Sequence, residues 1–85
     1  MEQFTYKITD PTGIHARPAG QLVKLMKELP SSVTITKGDK TVAGTKLIAL
    51  MGLGIKCGDT ITVQVEGDNE KVDCARIKSF LEERL

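Results

Sequence analysis

Tryptophan is absent, and one tyrosine and two phenylalanines make up the whole aromatic content of the 85 residues. With so few stacking platforms, and with 12 Lys+Arg against 11 Asp+Glu, the chain lacks the basic, aromatic face of a nucleic-acid binder. No apolar run approaches the ~18–20 residues of a membrane span. The start Met1-Glu2-Gln3-Phe4 lacks the basic and apolar regions of a signal peptide. Cys57 and Cys74 are too few for a disulfide framework, so a reducing cytoplasm is the expected compartment. One histidine and two separated thiols are a poor ligand supply, and no metal site is expected. No P-loop pattern is present, which excludes self-phosphorylation from a nucleotide. No nucleophile elbow is present either, which argues against a serine hydrolase.

The 40 % hydrophobic and 27 % charged residues are those of an ordinary globular domain. The length fits a single domain, residues 1–85, with a small aliphatic core. Phe4, Tyr6 and Ile8 alternate with Thr5, Lys7 and Thr9, the period of a half-buried strand. Asp10-Pro11-Thr12-Gly13 breaks it with turn chemistry. From Ala16 to about Leu29 the period becomes helical, with Ala19, Leu22, Val23 and Met26 on one face, Pro18 in the first turn and Pro30 as the stop. Val33 and Ile35 mark a second strand, which turns at Lys37-Gly38-Asp39-Lys40 and returns through Thr41-Val42-Ala43. A short apolar helix from Lys46 to about Leu53 follows, then a loop at Lys56-Cys57-Gly58-Asp59. Ile61, Val63 and Val65 make the clearest strand. Gly67-Asp68-Asn69 should cap a last helix, about Glu70 to Glu83, burying Cys74, Ile77 and Leu81. Each strand has one apolar and one Thr/Lys/Gln face, which suits an antiparallel sheet covered by helices on one side, an α+β two-layer sandwich. A ferredoxin-like arrangement accommodates the first six elements.

The chemistry concentrates in Gly13-Ile14-His15-Ala16-Arg17-Pro18-Ala19, where a turn passes into a helix start. The first turn of a helix presents unpaired N–H groups and about half a positive charge, a ready phosphate site. Arg17 adds a fixed cation whose forked donors suit phosphate oxygens. His15 adds an imidazole nucleophile that works near neutral pH. The bland alternative is a solvated or backbone-bonded histidine. Since nothing here phosphorylates from a nucleotide, a phosphate on His15 would have to come from another protein, and the chain would then be a carrier.

This motif resembles the phosphohistidine motif of the HPr family, the histidine-containing phosphocarriers of the bacterial phosphoenolpyruvate:sugar phosphotransferase system. The likeness extends over essentially the whole chain, including Leu47–Met51 and Leu53-Gly54. It implies an open-faced β-sandwich, a four-stranded antiparallel sheet with three helices on one face. It also implies a relay: enzyme I passes a phosphoryl group to Nδ1 of His15, and His15 passes it to an enzyme IIA domain of a sugar permease. Arg17 would neutralise its charge, the N–H groups of Ala16 and Arg17 would donate to its oxygens, and the Thr12 hydroxyl would assist, unless Thr12 only bonds its own turn. No cofactor is implied, and a monomer is expected.

Leu47, Ile48, Leu50 and Met51 crowd a helix too short to bury them all. Leu50 and Leu53 read as core. The resemblance gives Leu47, Ile48 and Met51 to partner docking, with Gly20, Lys24 and Lys27 as a polar rim. Lys46 is the departure. Many Gram-positive members carry there a serine that a dedicated kinase phosphorylates, so that branch is expected to be absent, with Thr45 left as a substitute helix cap or, failing that, a substitute phosphosite. Two other readings keep His15 or discard it: a regulatory, nitrogen-related or dihydroxyacetone-branch paralogue using His15, or a small binding module in which His15 is structural.

Overall fold

The alternation of apolar and polar side chains resolves into four strands and three helices. In the computed structural model, which describes residues 1–85, they run β1 (Glu2–Lys7), α1 (Ala16–Glu28), β2 (Ser32–Lys37), β3 (Lys40–Ala43), α2 (Leu47–Gly52), β4 (Thr60–Glu66) and α3 (Glu70–Arg84). The strands form one antiparallel sheet in the order β1-β4-β2-β3. α3 lies on β4 and β1, α2 lies beside β3, and α1 packs against both other helices. The result is an open-faced sandwich with all three helices on one side.

β4 is central because its inward side chains, Ile61, Val63 and Val65, are all fully buried. Val63 stands between Phe4 of β1 and Ile35 of β2, and Val65 stands beside Val33. Each such aliphatic side chain removed from water contributes about 1.5–3 kcal/mol. The opposite face is polar. Thr5, Thr62, Thr36 and Thr41 form one row across all four strands. Lys37 pairs with Lys40 across Gly38-Asp39, and Gly38 takes φ +63°, the glycine-first pattern of a two-residue hairpin.

Three expectations need correction. A ferredoxin-like sheet would place β1 and β3 at its centre, whereas here they are the edges. Every strand offers an apolar face, so alternation tells which side meets the helices but not which strand is the neighbour. In α3, Ile77 and Leu81 are fully buried, but the third inward residue is Asp73; Cys74 is only partly covered. Asp73 is accommodated because the Ser31 hydroxyl donates to its Oδ2 at 2.5 Å and Asn69 Nδ2 donates to its Oδ1 at 3.2 Å. Asn69 is therefore engaged with Asp73, and no side chain caps α3 from the N-cap position. No helix is long and apolar enough to cross a membrane.

Candidate functional site

The segment between β1 and α1 is shaped by backbone bonds before any side chain enters. The Thr12 N–H donates to Asp10 Oδ1 at 2.8 Å, and the Gly13 N–H donates to the Asp10 carbonyl at 2.8 Å, closing a tight turn. Gly13 then takes φ +72°, and a Cβ there would stand 2.6 Å from the Ile55 carbonyl oxygen and 2.7 Å from Lys56 Cα. Only glycine fits. The Ile14 N–H donates to that same Ile55 carbonyl at 3.1 Å, and the Ile14 side chain is buried. His15 follows with extended backbone (φ −108°, ψ 177°) at the N-cap of α1.

The first turn of α1 is left open. His15 contributes its carbonyl to the Ala19 N–H at 3.0 Å, but its ring makes no capping bond. The N–H groups of Ala16 and Arg17 find no acceptor in the chain, and no acidic residue lies in the turn. Pro18 has no N–H to leave over. His15 is half-buried, while Thr12, Ala16 and Arg17 are exposed. None of the side-chain hydrogen bonds involves the His15 ring, the Arg17 guanidinium or the Thr12 hydroxyl. Neither of the two ion pairs of the chain, Met1–Glu70 and Lys37–Asp59, involves His15 or Arg17. One turn thus combines a free imidazole, a free guanidinium and two free amides pointing along the positive end of a 13-residue helix. Such a site can hold a dianionic group on a ring nitrogen without a pocket.

The surface around it is open. Neither of the two cavities is lined by His15 or Arg17. The larger, about 680 Å³, is a groove between the end of α1 and the start of α2, floored by Met26, Leu29 and Val33 and edged by Lys27, Lys46 and Ile48. Leu50 and Leu53 are buried, as expected of core residues. Ile48 is 85 % exposed, and Leu47 and Met51 are each 37 % exposed. Lys24 and Lys27 are exposed on α1, and Gly20 leaves open space where a side chain would stand. At α2, Lys46 itself occupies the N-cap without a side-chain cap, so Thr45 does not take that role. The preceding backbone bond, the Lys46 N–H to the Ala43 carbonyl at 3.1 Å, already turns the chain into the helix.

The part of the site that sequence reasoning treated as a plain loop is the Ile55–Asp59 turn. Asp59 Oδ2 accepts the Lys56 N–H at 2.8 Å and lies 3.0 Å from Lys37 Nζ. The amide bond from Lys56, with the bond and charge of Lys37, holds the Asp59 carboxyl below the ordinary aspartate value. Gly-Asp turn chemistry at Gly58-Asp59 was visible, but nothing local signals that this turn presses on Gly13.

A family profile described as "PTS HPr component phosphorylation site" matches residues 2–83. A phosphocarrier protein HPr of Buchnera aphidicola is 41 % identical over 71 residues, covering 84 % of each chain. A multiphosphoryl transfer protein of Xanthomonas campestris is 28 % identical over 81 residues, 95 % of this chain but 10 % of that one. A crystal structure of HPr from Thermoanaerobacter tengcongensis superposes with a TM-score of 0.92 at 29 % identity, covering 98 % of this chain and 93 % of the other.

Proposed function

The chain belongs to the HPr family of the phosphotransferase system and carries phosphoryl groups, and from that premise we propose that His15 accepts one from phosphorylated enzyme I and hands it to enzyme IIA domains of sugar permeases. The observation that carries this reading is the first turn of α1, where the unpaired His15 side chain at the N-cap is followed at once by the free amides of Ala16 and Arg17 and the free Arg17 cation.

In the transfer, the bond between phosphorus and its donor breaks as the bond to Nδ1 of His15 forms, and the reverse balance holds at the acceptor. A phosphoryl group in flight is a loose species with charge spread over three oxygens, so positioning and electrostatics are the main contributions a protein can make. The Ala16 and Arg17 amides would meet two of those oxygens, with the Arg17 guanidinium reaching the same cluster and the Thr12 hydroxyl as a further donor. A shallow, open site suits a carrier, because donor and acceptor must reach the same ring in turn. Docking falls to Leu47, Ile48 and Met51, rimmed by Gly20, Lys24 and Lys27, where free lysines would speed encounter with acidic partners.

The 85 residues act as one carrier domain, monomeric, in the reducing cytoplasm, and without a cofactor. Lys46 at the exposed start of α2 offers no hydroxyl to a regulatory kinase, and its positive charge is opposite in sign to a phosphoserine. The direct test is incubation with phosphoenolpyruvate and enzyme I. A gain of one phosphoryl mass, acid-labile and base-stable, localised to His15, supports the reading; no gain, or a label elsewhere, overturns it.

A further inference from the structure

Phosphoryl transfer depends on where the His15 ring and the first-turn amides point, and the chain on either side of His15 does not fix that by itself. We propose that Asp59 is a positioning residue for the transfer. It braces the Ile55–Asp59 turn, and that turn holds the Gly13–Ile14 backbone from which His15 projects. The inference rests on His15 being the phosphoryl acceptor.

The path is short and made of hydrogen bonds. Asp59 Oδ2 accepts the Lys56 N–H at 2.8 Å, and its own N–H donates to the Lys56 carbonyl at 3.0 Å, so the carboxylate closes the turn upon itself. Lys37, the last residue of β2, lies 3.0 Å from the same carboxylate oxygen and donates from Nζ to the Gly54 carbonyl at 2.9 Å. One lysine thus grips both ends of the turn. The turn is also tied to the end of β1, because the Ile8 N–H donates to the Asp59 carbonyl at 2.9 Å and the Gly58 N–H donates to the Ile8 carbonyl at 2.8 Å. On its far side the turn delivers the Ile55 carbonyl to the Ile14 N–H and packs Lys56 Cα against Gly13. From the Lys56 amide that Asp59 holds, one peptide unit leads to the Ile55 carbonyl, and the residue after Ile14 is His15.

An exposed ion pair alone contributes little to stability. The Asp59 pair acts differently, because the segment has glycine at 54 and 58, both at positive φ (+62° and +91°), and so has little order of its own. A carboxylate that orders such a turn acts on geometry. A misplacement of about 1 Å can cost as much as ~100-fold in rate. The docking residues lie on α1 and α2, outside the turn, and only the Met51 carbonyl, which accepts the Gly54 N–H at 3.2 Å, touches it, so the effect belongs in the transfer step rather than in partner binding.

The test uses the full chain with Asp59→Asn, Lys37→Met, their combination and the conservative Asp59→Glu. We expect the maximal rate of transfer from phosphorylated enzyme I to His15 to fall by about 3–10-fold, with KM for the carrier held within about twofold. Hydrogen exchange at the Ile14 N–H should quicken and the His15 ring resonances shift. The double variant should be no slower than the slower single one, since both act through one turn, and Asp59→Glu should regain part of the rate. The proposal fails if Ile14 exchange is unchanged in both single variants. It also fails if exchange loosens with no loss of rate, or if the loss lies in KM. Should Asp59→Asn not fold, Lys37→Met and Asp59→Glu carry the same readouts. If the unaltered chain accepts no phosphoryl group at His15, the functional reading falls, and Ile14 exchange in the variants still decides whether the brace reaches that backbone.

Discussion

Ser31 and Asp73, 42 residues apart, meet inside the protein, where the serine hydroxyl donates to Asp73 Oδ2 at 2.5 Å and the aspartate has no exposed surface. The contact joins the start of β2 to the first turns of α3. Ser31→Ala leaves the buried carboxylate with the longer Asn69 bond only. The expected cost is about 1–3 kcal/mol. Urea unfolding should show a lower midpoint at unchanged slope, while the folded variant accepts phosphate at the normal rate.

At the proposed site, His15→Ala should abolish phosphate acceptance and leave the far-UV spectrum and thermal midpoint near those of the parent, because the ring is half-exposed and makes no hydrogen bond. Arg17→Met removes a charge-assisted contact of the kind that contributes about 1.5–3 kcal/mol. Its transfer rate should fall by about 10–100-fold, read in a single-turnover experiment with phosphorylated enzyme I. A normal rate would remove Arg17 from the mechanism.

Substitution at Ile48 should separate docking from chemistry. The residue is 85 % exposed, so Ile48→Asp has almost nothing to disrupt in the core. The substitution should raise KM for the carrier by about tenfold, the scale of a buried interface anchor, with the maximal rate little changed. A calorimetric titration with an enzyme IIA domain gives an independent reading; unaltered affinity for both partners would take Ile48 out of the docking surface.

Acid stability has a definite sign at Asp59 and Glu70. The Lys56 amide and Lys37 lower the carboxyl of Asp59, and the N-terminal ammonium lowers that of Glu70, relative to ordinary values of 3.8 and 4.5. Groups lowered in the folded state stabilise it above the unfolded values, and that contribution is lost as pH falls from those values toward the lower folded ones. Asp59→Asn and Glu70→Gln should therefore flatten the acid side of the stability curve below about pH 4.5, measured by denaturant unfolding at a series of pH values. A steeper acid decline in either variant would reverse the assignment.

The two thiols should differ in reactivity. Burial, then the charge of Glu2, raises Cys74 above its ordinary value, while Cys57 is exposed in its loop with Sγ 3.8 Å from the Thr9 carbonyl. Mild alkylation near pH 8 followed by peptide mapping should find Cys57 modified first. Equal labelling would show that α3 opens readily.

The local signals served where the cause is local. Helical spacing located Ala19, Leu22, Val23 and Met26 on the buried face of α1, and crowding on α2 separated buried Leu50 and Leu53 from exposed Ile48. The anion-ready helix start at His15 was legible because an N-terminus, an arginine and a proline lie within four residues. What stayed hidden depends on distant partners. Asp73 replaces Cys74 in the core because Ser31, far away in sequence, satisfies it. The Asp59 turn supports the histidine because Ile55 and Gly13, 42 positions apart, share one hydrogen-bonded contact region. Strand order escaped for the same reason: edge and centre differ by neighbours, not by alternation.

The meeting of Gly13 with Ile55 and Lys56 also bears on how such a chain can vary. The atoms that would obstruct a side chain at position 13 are a carbonyl oxygen and an alpha carbon, not the end of a neighbouring side chain. Trimming a residue elsewhere therefore cannot make room. In a saturation library selected for sugar uptake, position 13 should remain glycine while Ala16, used only through its backbone, drifts, and a rescued Gly13 substitution should carry an insertion or deletion between residues 54 and 58 instead of a compensating point change.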